Sequence, residues 1–181
     1  CTMSRITIKD KTFETSIPEA VILEKVERVA ERLNKDMAGK TPLFLAVLNG
    51  SFMYAADLMK FIDIPCEIGF VRVASYEGTE SSGKITEIIG LNEDISGREV
   101  VIVEDIVDTG RTMERMLETL RKKNPANIHI STLLLKPGKL EAALNIEYAA
   151  MEIPNDFIVG YGLDYDQQGR NLRDIYTLVQ E

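Results

Sequence analysis

Residues 99–113, Glu-Val-Val-Ile-Val-Glu-Asp-Ile-Val-Asp-Thr-Gly-Arg-Thr-Met, constrain this chain more than any other stretch. The apolar run 100–103 shows no alternation, as expected of a parallel strand buried on both faces. Two adjacent carboxylates, Glu104 and Asp105, follow at its C-terminal end. Then come a short loop, Asp108-Thr109-Gly110-Arg111-Thr112, and a helix-like stretch to residue 123. Open α/β sheets bind ligands beyond the carboxyl ends of their strands. The loop offers a glycine, two hydroxyls and backbone N–H groups at a helix N-terminus, which suits a phosphate. The paired acids repel a bare phosphate but suit sugar hydroxyls, or a Mg²⁺ that a sugar phosphate brings with it. A phosphorylated sugar is the ligand this arrangement fits.

Strand and helix patterns alternate along the rest of the chain. A short edge strand is expected over 4–9. A helix from Pro18 to about Gly39 carries Val21, Ile22, Val26, Val29, Ala30 and Leu33 at helical spacing. A continuous apolar strand, 43–48, leads through Gly50 into a second helix, 52–61. Further strands are expected over 66–74, 84–91, 128–135, 148–153 and 157–161, with a short helix over 139–144. The class is therefore α/β, a parallel sheet with helices on both faces. The 66–91 pair reads instead as an antiparallel ribbon, and its polar connection, 76–83, is a candidate lid. A length of 181 residues suits one domain with a full core.

Charge and cysteine use narrow the function classes. The net charge of −8, from 21 basic and 29 acidic residues, makes a general nucleic-acid binder a poor expectation. Two cysteines, Cys1 and Cys66, make no disulfide framework, and Cys66 at the head of an apolar strand reads as packing. No basic-then-apolar leader opens the sequence and no apolar run approaches membrane-spanning length, so cytoplasm and no membrane partner are expected. Asn49-Gly50-Ser51 matches a glycosylation sequon that has no use there. Gly78-Thr-Glu-Ser-Ser-Gly83-Lys84 nearly spells a P-loop, but Ile85 stands where Mg²⁺ needs Ser or Thr, and Lys84 enters an expected strand rather than a helix. The sole histidine, His129, falls in an apolar strand and reads as structural; with two cysteines it makes a poor zinc site.

Residues 104–112, Glu-Asp-Ile-Val-Asp-Thr-Gly-Arg-Thr, resemble the 5-phosphoribosyl-1-pyrophosphate (PRPP) signature of the type I phosphoribosyltransferases, in the form of the hypoxanthine-guanine branch. The resemblance covers nearly the whole chain. It implies a parallel five-stranded core sheet flanked by helices over about 18–150, and a small hood from 1–17 and 151–181. Glu104 and Asp105 would hold the ribose hydroxyls and a Mg²⁺, and Asp108, Thr109, Gly110, Arg111 and Thr112 would cradle the 5′-phosphate. Leu48, Asn49 and Gly50 would form the pyrophosphate loop, with a cis bond at Leu48–Asn49 in the family; many relatives carry Lys where Asn49 stands here. Ser75 and Tyr76 would begin a flexible flap that shuts water out. Lys136 ends a strand and can donate to a ligand carbonyl; in the family it meets the purine O6, a donor that selects 6-oxopurines over adenine. Phe157 would stack on the base, the Ile158 backbone would bond its edge, Asp164 would help hold a second Mg²⁺, and Arg170 would contact pyrophosphate.

The implied reaction joins hypoxanthine or guanine to PRPP, giving IMP or GMP and pyrophosphate, in a homodimer or homotetramer. Asp108, at the start of the phosphate loop, is the candidate general base for the purine N7 proton, although an aspartate of ordinary pKa near 3.9 is weak for that task. Two rivals share the fold: an RNA-binding regulator of pyrimidine operons, which needs a basic face, and a xanthine-preferring transferase. A PRPP synthetase-like pyrophosphokinase fails because the chain is short and has no ATP site.

Overall fold

A computed structural model describes residues 3–77 and 84–180. Its strands are β1 (Arg5–Ile8), β2 (Lys11–Ile17), β3 (Leu43–Val47), β4 (Glu67–Glu77), β5 (Lys84–Ile89), β6 (Glu99–Val107), β7 (Asn127–Leu135), β8 (Tyr148–Glu152), β9 (Ile158–Val159) and β10 (Ile175–Leu178). Its helices are α1 (Glu19–Asp36), α2 (Phe52–Phe61) and α3 (Arg111–Arg121), with a 3₁₀ turn at Pro137–Lys139. The larger sheet runs β5-β4-β3-β6-β7-β8; β4, β3, β6, β7 and β8 are parallel, and β5 joins β4 antiparallel.

The unalternating apolar runs now have a cause. In β3, Phe44 and Ala46 pack against α1 and α2 on one face, while Leu43, Leu45 and Val47 pack against α3 on the other. β6 divides likewise, with Val101 and Val103 on the first side and Val100 and Ile102 on the second. Each such side chain apart from Ala46 contributes about 1.5–3 kcal/mol by leaving water. Helix α1 buries Ile22, Val26, Val29, Ala30 and Leu33, whose spacing keeps them on one face, and it ends just before Gly39, whose φ is +79°. Val21 is exposed and lies off that stripe.

The smaller sheet, β1-β2-β10-β9, is antiparallel and takes strands from both ends of the chain. Its core is Ile8, Phe13, Val159 and Tyr176. Three expectations need correction. Residues 139–144 form no α-helix, because the Glu141 and Ala142 N–H groups donate to Thr109 C=O rather than along their own segment. The strand expected over 157–161 is only Ile158–Val159, since Gly160 and Tyr161 turn the chain through positive φ. Strands β2 and β10 were not anticipated; β2 buries only Phe13 completely, so its polar residues mute the alternation.

Candidate active site

Strands β3, β6 and β7 point their carboxyl ends at one edge of the parallel sheet, and the loops that follow them meet there. After β3, the Leu48–Asn49 peptide is cis. The Leu48 N–H donates to Val71 C=O at 2.9 Å, and Ser51 Oγ returns to Val47 C=O at 2.6 Å, so this turn is pinned from both sides. Arg72, on the exposed face of β4, donates to Asn49 Oδ1 at 2.7 Å. Gly50 is required by close approach: a Cβ there would overlap the Asp105 carboxylate. Its carbonyl in turn lies where a Cβ on Gly162 would sit, so two glycines let the smaller sheet's loop touch the β3 loop beside Asp105.

The acid pair lies in the C-terminal half of β6. The Asp105 N–H donates to Glu104 Oε1 at 3.1 Å, and the Ile106 N–H donates to Asp105 Oδ1 at 2.7 Å. Burial and the neighbouring Asp105 carboxyl push Glu104 well above the usual glutamate range. Neither acid has a cation in ion-pair range among the described residues. Such a pair lacks a positive charge to share.

Beyond it, residues 108–112 curve around a cavity of about 120 Å³ lined by Glu104, Ile106, Asp108, Thr109, Gly110 and Thr112, with the N-terminus of α3 opening on it. Gly110 takes φ +84° directly before α3, and a Cβ on it would crowd Leu140, Leu144 and Ala142. Segment 140–144 therefore backs the loop, fixed further by an Arg111–Glu141 ion pair. Asp108 Oδ1 is buried without a hydrogen-bond donor, and Lys139 Nζ stands 3.4 Å from it.

Lys136, at the end of β7, is buried, and its N–H donates to Val107 C=O at 3.1 Å. It borders a second cavity of about 330 Å³ with Pro137, Lys139, Ile153, Pro154 and Asn155. Among the described residues its ammonium has no ion-pair partner. Phe157 remains 47% exposed, with Phe13 and Tyr165 rings centred 6.1 and 5.8 Å away. Ile158 follows it in β9, paired with Thr177. Arg170 donates to Gly162 C=O at 2.8 Å and lies 3.4 Å from Asp164 Oδ1, so these two are locked together beside Gly50.

Among the described residues no three acids, histidines or cysteines gather as a metal cage, so Asp164 does not complete a cluster with Glu104 and Asp105. The backbone of Ser75 and Tyr76 lies in β4, paired with β5; the flap expected beyond them, 78–83, falls outside the described residues. Lys84 lies in strand β5, which removes the P-loop reading. His129 sits near the opposite end of β7 from Lys136, between Glu147 and Glu99. Burial pushes the Cys66 thiol up, away from reactivity. Arg72, Lys139 and Tyr165 touch Asn49, Asp108 and Phe157 and were not among the expected site residues; for Lys139 the repeat of a lysine across Lys-Pro-Gly-Lys was the available signal.

A buried parallel strand that ends in an acid pair and runs through a glycine loop into a helix N-terminus defines a class. The Phosphoribosyl transferase domain model matches residues 18–166, and the chain belongs to that family. It is 41% identical over 174 residues to the hypoxanthine-guanine phosphoribosyltransferase of Lactococcus lactis, covering 95% of this chain and 94% of the relative. The Streptococcus pneumoniae protein of the same name is 41% identical, covering 88% of this chain and 89% of its own. A Staphylococcus aureus hypoxanthine phosphoribosyltransferase structure superposes with a TM-score of 0.84 at 38% identity, covering 91% of this chain and 90% of that one. The Trypanosoma cruzi hypoxanthine phosphoribosyltransferase, solved as a ternary substrates complex of a point mutant, gives 0.85 at 33% identity, covering 95% and 97%.

Proposed function

We propose that the protein transfers the phosphoribosyl group of PRPP to hypoxanthine or guanine, forming IMP or GMP and pyrophosphate, a purine-salvage reaction of the cytoplasm. The observation that carries this is the meeting, at one sheet edge, of a phosphate-sized loop, an acid pair with no cation in range among the described residues, and the buried Lys136. The substrates are small molecules, with no nucleic acid or membrane partner, and the working unit is a homodimer or homotetramer. No described helix is long and apolar enough to cross a membrane.

Glu104 and Asp105 fit Mg²⁺, which accepts one or two carboxylates and takes its remaining oxygens from a phosphorylated ligand. Bound there, Mg²⁺ would offset negative charge on the leaving pyrophosphate. The chain supplies the rest. Residues 108–112 and the α3 N-terminus hold the 5′-phosphate. Backbone N–H groups of Asn49 and Gly50, with Arg170, face the pyrophosphate as charge grows on it, while the Leu48 N–H stays on Val71 C=O and holds the loop. Asp164 pairs with Arg170 and would help hold a second Mg²⁺ that neutralises charge on the pyrophosphate. Lys136 donates to the purine O6, Phe157 stacks on the ring and the Ile158 backbone bonds its edge. As N9 joins C1′, Asp108 takes the N7 proton. Ser75 and Tyr76 begin the flap that excludes water.

The test is Mg²⁺-dependent turnover of hypoxanthine, guanine, xanthine, adenine and uracil with PRPP, run on wild type, Asp108→Asn and Lys136→Ala. Turnover confined to 6-oxopurines is expected. In Asp108→Asn, kcat should fall about 10²–10⁴-fold, the usual worth of a general base. In Lys136→Ala, base selectivity should loosen. Uracil turnover, or PRPP binding without any turnover, would overturn the salvage reading.

A further inference from the structure

The Asp108–Lys139 ion pair stands between two cavities. Asp108 lines the loop cavity below α3, and Lys139 lines the one beside Lys136. Buried Asp108 Oδ1 receives no hydrogen bond among the described residues, and Lys139, with its ammonium 3.4 Å away, is the one cation there in ion-pair range. A buried carboxylate oxygen left wholly without a partner is costly, so this contact has a physical reason to persist. Lys139 is itself 39% exposed on its side chain, and half-exposed ion pairs contribute little to folding. Its place is a better clue than its strength.

That place is fixed on both sides. Lys139 closes the 3₁₀ turn that Lys136 opens, its N–H donating to Lys136 C=O at 3.1 Å. Immediately after it, Glu141 and Ala142 donate to Thr109 C=O at 2.9 and 3.1 Å, and Leu140 and Leu144 pack on Gly110. A single seven-residue span, 136–142, thus links the carbonyl-reading lysine to the phosphate loop, with Lys139 reaching back to Asp108 between them.

We infer that Lys139 is a positioning residue: it holds Asp108 at the boundary of the two cavities, so that the carbonyl read by Lys136 and the N7 proton taken by Asp108 are met in one register. This rests on the roles proposed above for Asp108 and Lys136. In the transfer the purine N7–H bond breaks, its electron pair stays on the ring and the proton passes to the Asp108 carboxylate. Lys139 neither gives nor takes that proton.

The experiment is steady-state turnover of hypoxanthine with Mg²⁺ and PRPP in wild type, Lys139→Met, Lys139→Arg, Asp108→Asn and the Asp108→Asn/Lys139→Met double variant. Lys139→Met should lower kcat about tenfold, part of the span a general base supplies, with KM for PRPP unchanged. Lys139→Arg should recover most of kcat, because a guanidinium pairs with the same carboxylate. On the Asp108→Asn background Lys139→Met should cost less than about twofold, since a residue acting through Asp108 has nothing left to act on. Lys139→Gln replaces Met in the same cycle if Met prevents folding. Unchanged kcat in Lys139→Met, equal losses on both backgrounds, or no recovery by Arg overturns the inference. Wild-type turnover in Asp108→Asn overturns the role of the acid and the inference with it, and that single variant reports it separately.

Discussion

Phe157 is about half exposed, yet two ring contacts restrict it. Tyr165 meets it edge to face at 86°, Phe13 packs at its side with 0% exposure, and both rings also touch each other at 5.9 Å. Tyr165 is anchored in turn by donating its hydroxyl to Asp10, a bond that holds the Asp10 carboxyl below its ordinary range. An aromatic pair of this geometry is worth about 0.5–1.5 kcal/mol beyond its area. Tyr165→Leu should therefore raise KM for the purine about 2–10-fold, with KM for PRPP unchanged, as initial-rate kinetics would measure. Equal rises in both constants would mean that Tyr165 supports the fold and not the stacking ring. Of these residues, the sequence marked Phe157 only through a family resemblance. Phe13 lies 144 positions upstream in another strand, and no local pattern connects the two. Gly50 shows the same limit: its identity is set by the Asp105 carboxylate, which reaches it only after β3 and β6 pair.

At the opposite end of the sheet from the site, β6 and β7 are joined to the segment before β8 through one imidazole. His129 Nδ1 lies 2.8 Å from Glu147 Oε2, and Nε2 lies 3.0 Å from Glu99 Oε2. Burial pushes Glu99 up, but hydrogen bonds from Asn127 and His129 and the Lys40 ammonium prevail and leave its carboxyl below the usual range. A depressed acid stabilises the fold above its unfolded pKa, about 4.5, and that stability is lost as pH falls through the folded value. Glu99→Gln should accordingly cost about 1 kcal/mol near neutrality, and the gap to wild type should close below about pH 4.5, in urea denaturation across that range. A gap that stays constant down to acid pH would show that Glu99 acts by packing alone. Elements here were legible where one physical signal dominated. α1 followed from periodicity, α2 from the turn at Gly50 after an apolar strand, and β3 and the start of β6 from unbroken apolar runs. The 139–144 segment misled because Leu140 and Leu144 have helical spacing yet pack on Gly110, a partner known only in the fold.

Across the whole molecule, PRPP would touch loops from both sheets, so its binding and the protein's stability are linked. The loop after β6 belongs to the larger sheet, while Arg170 and Asp164 hang from the smaller one, whose strands β2 and β10 bring distant chain segments together. A ligand spanning the two at 100 times its Kd adds about 2.7 kcal/mol, which in a chain of this size raises Tm by about 5–10 °C. The unliganded acid pair acts in the opposite direction, since burial and the adjoining Asp105 carboxyl disfavour a charged Glu104 and no cation lies in range of either acid among the described residues. Replacing them as Glu104→Gln/Asp105→Asn should leave the ligand-free Tm unchanged or higher and abolish the rise with Mg²⁺ and PRPP. Differential scanning calorimetry with Mg²⁺ alone, PRPP alone and both together reads each term. A full Tm rise retained in the double variant would remove the acids from the binding site. A lower ligand-free Tm would mean that the extra strength of charged acceptors for the Asp105 and Ile106 N–H groups outweighs the repulsion between the acids.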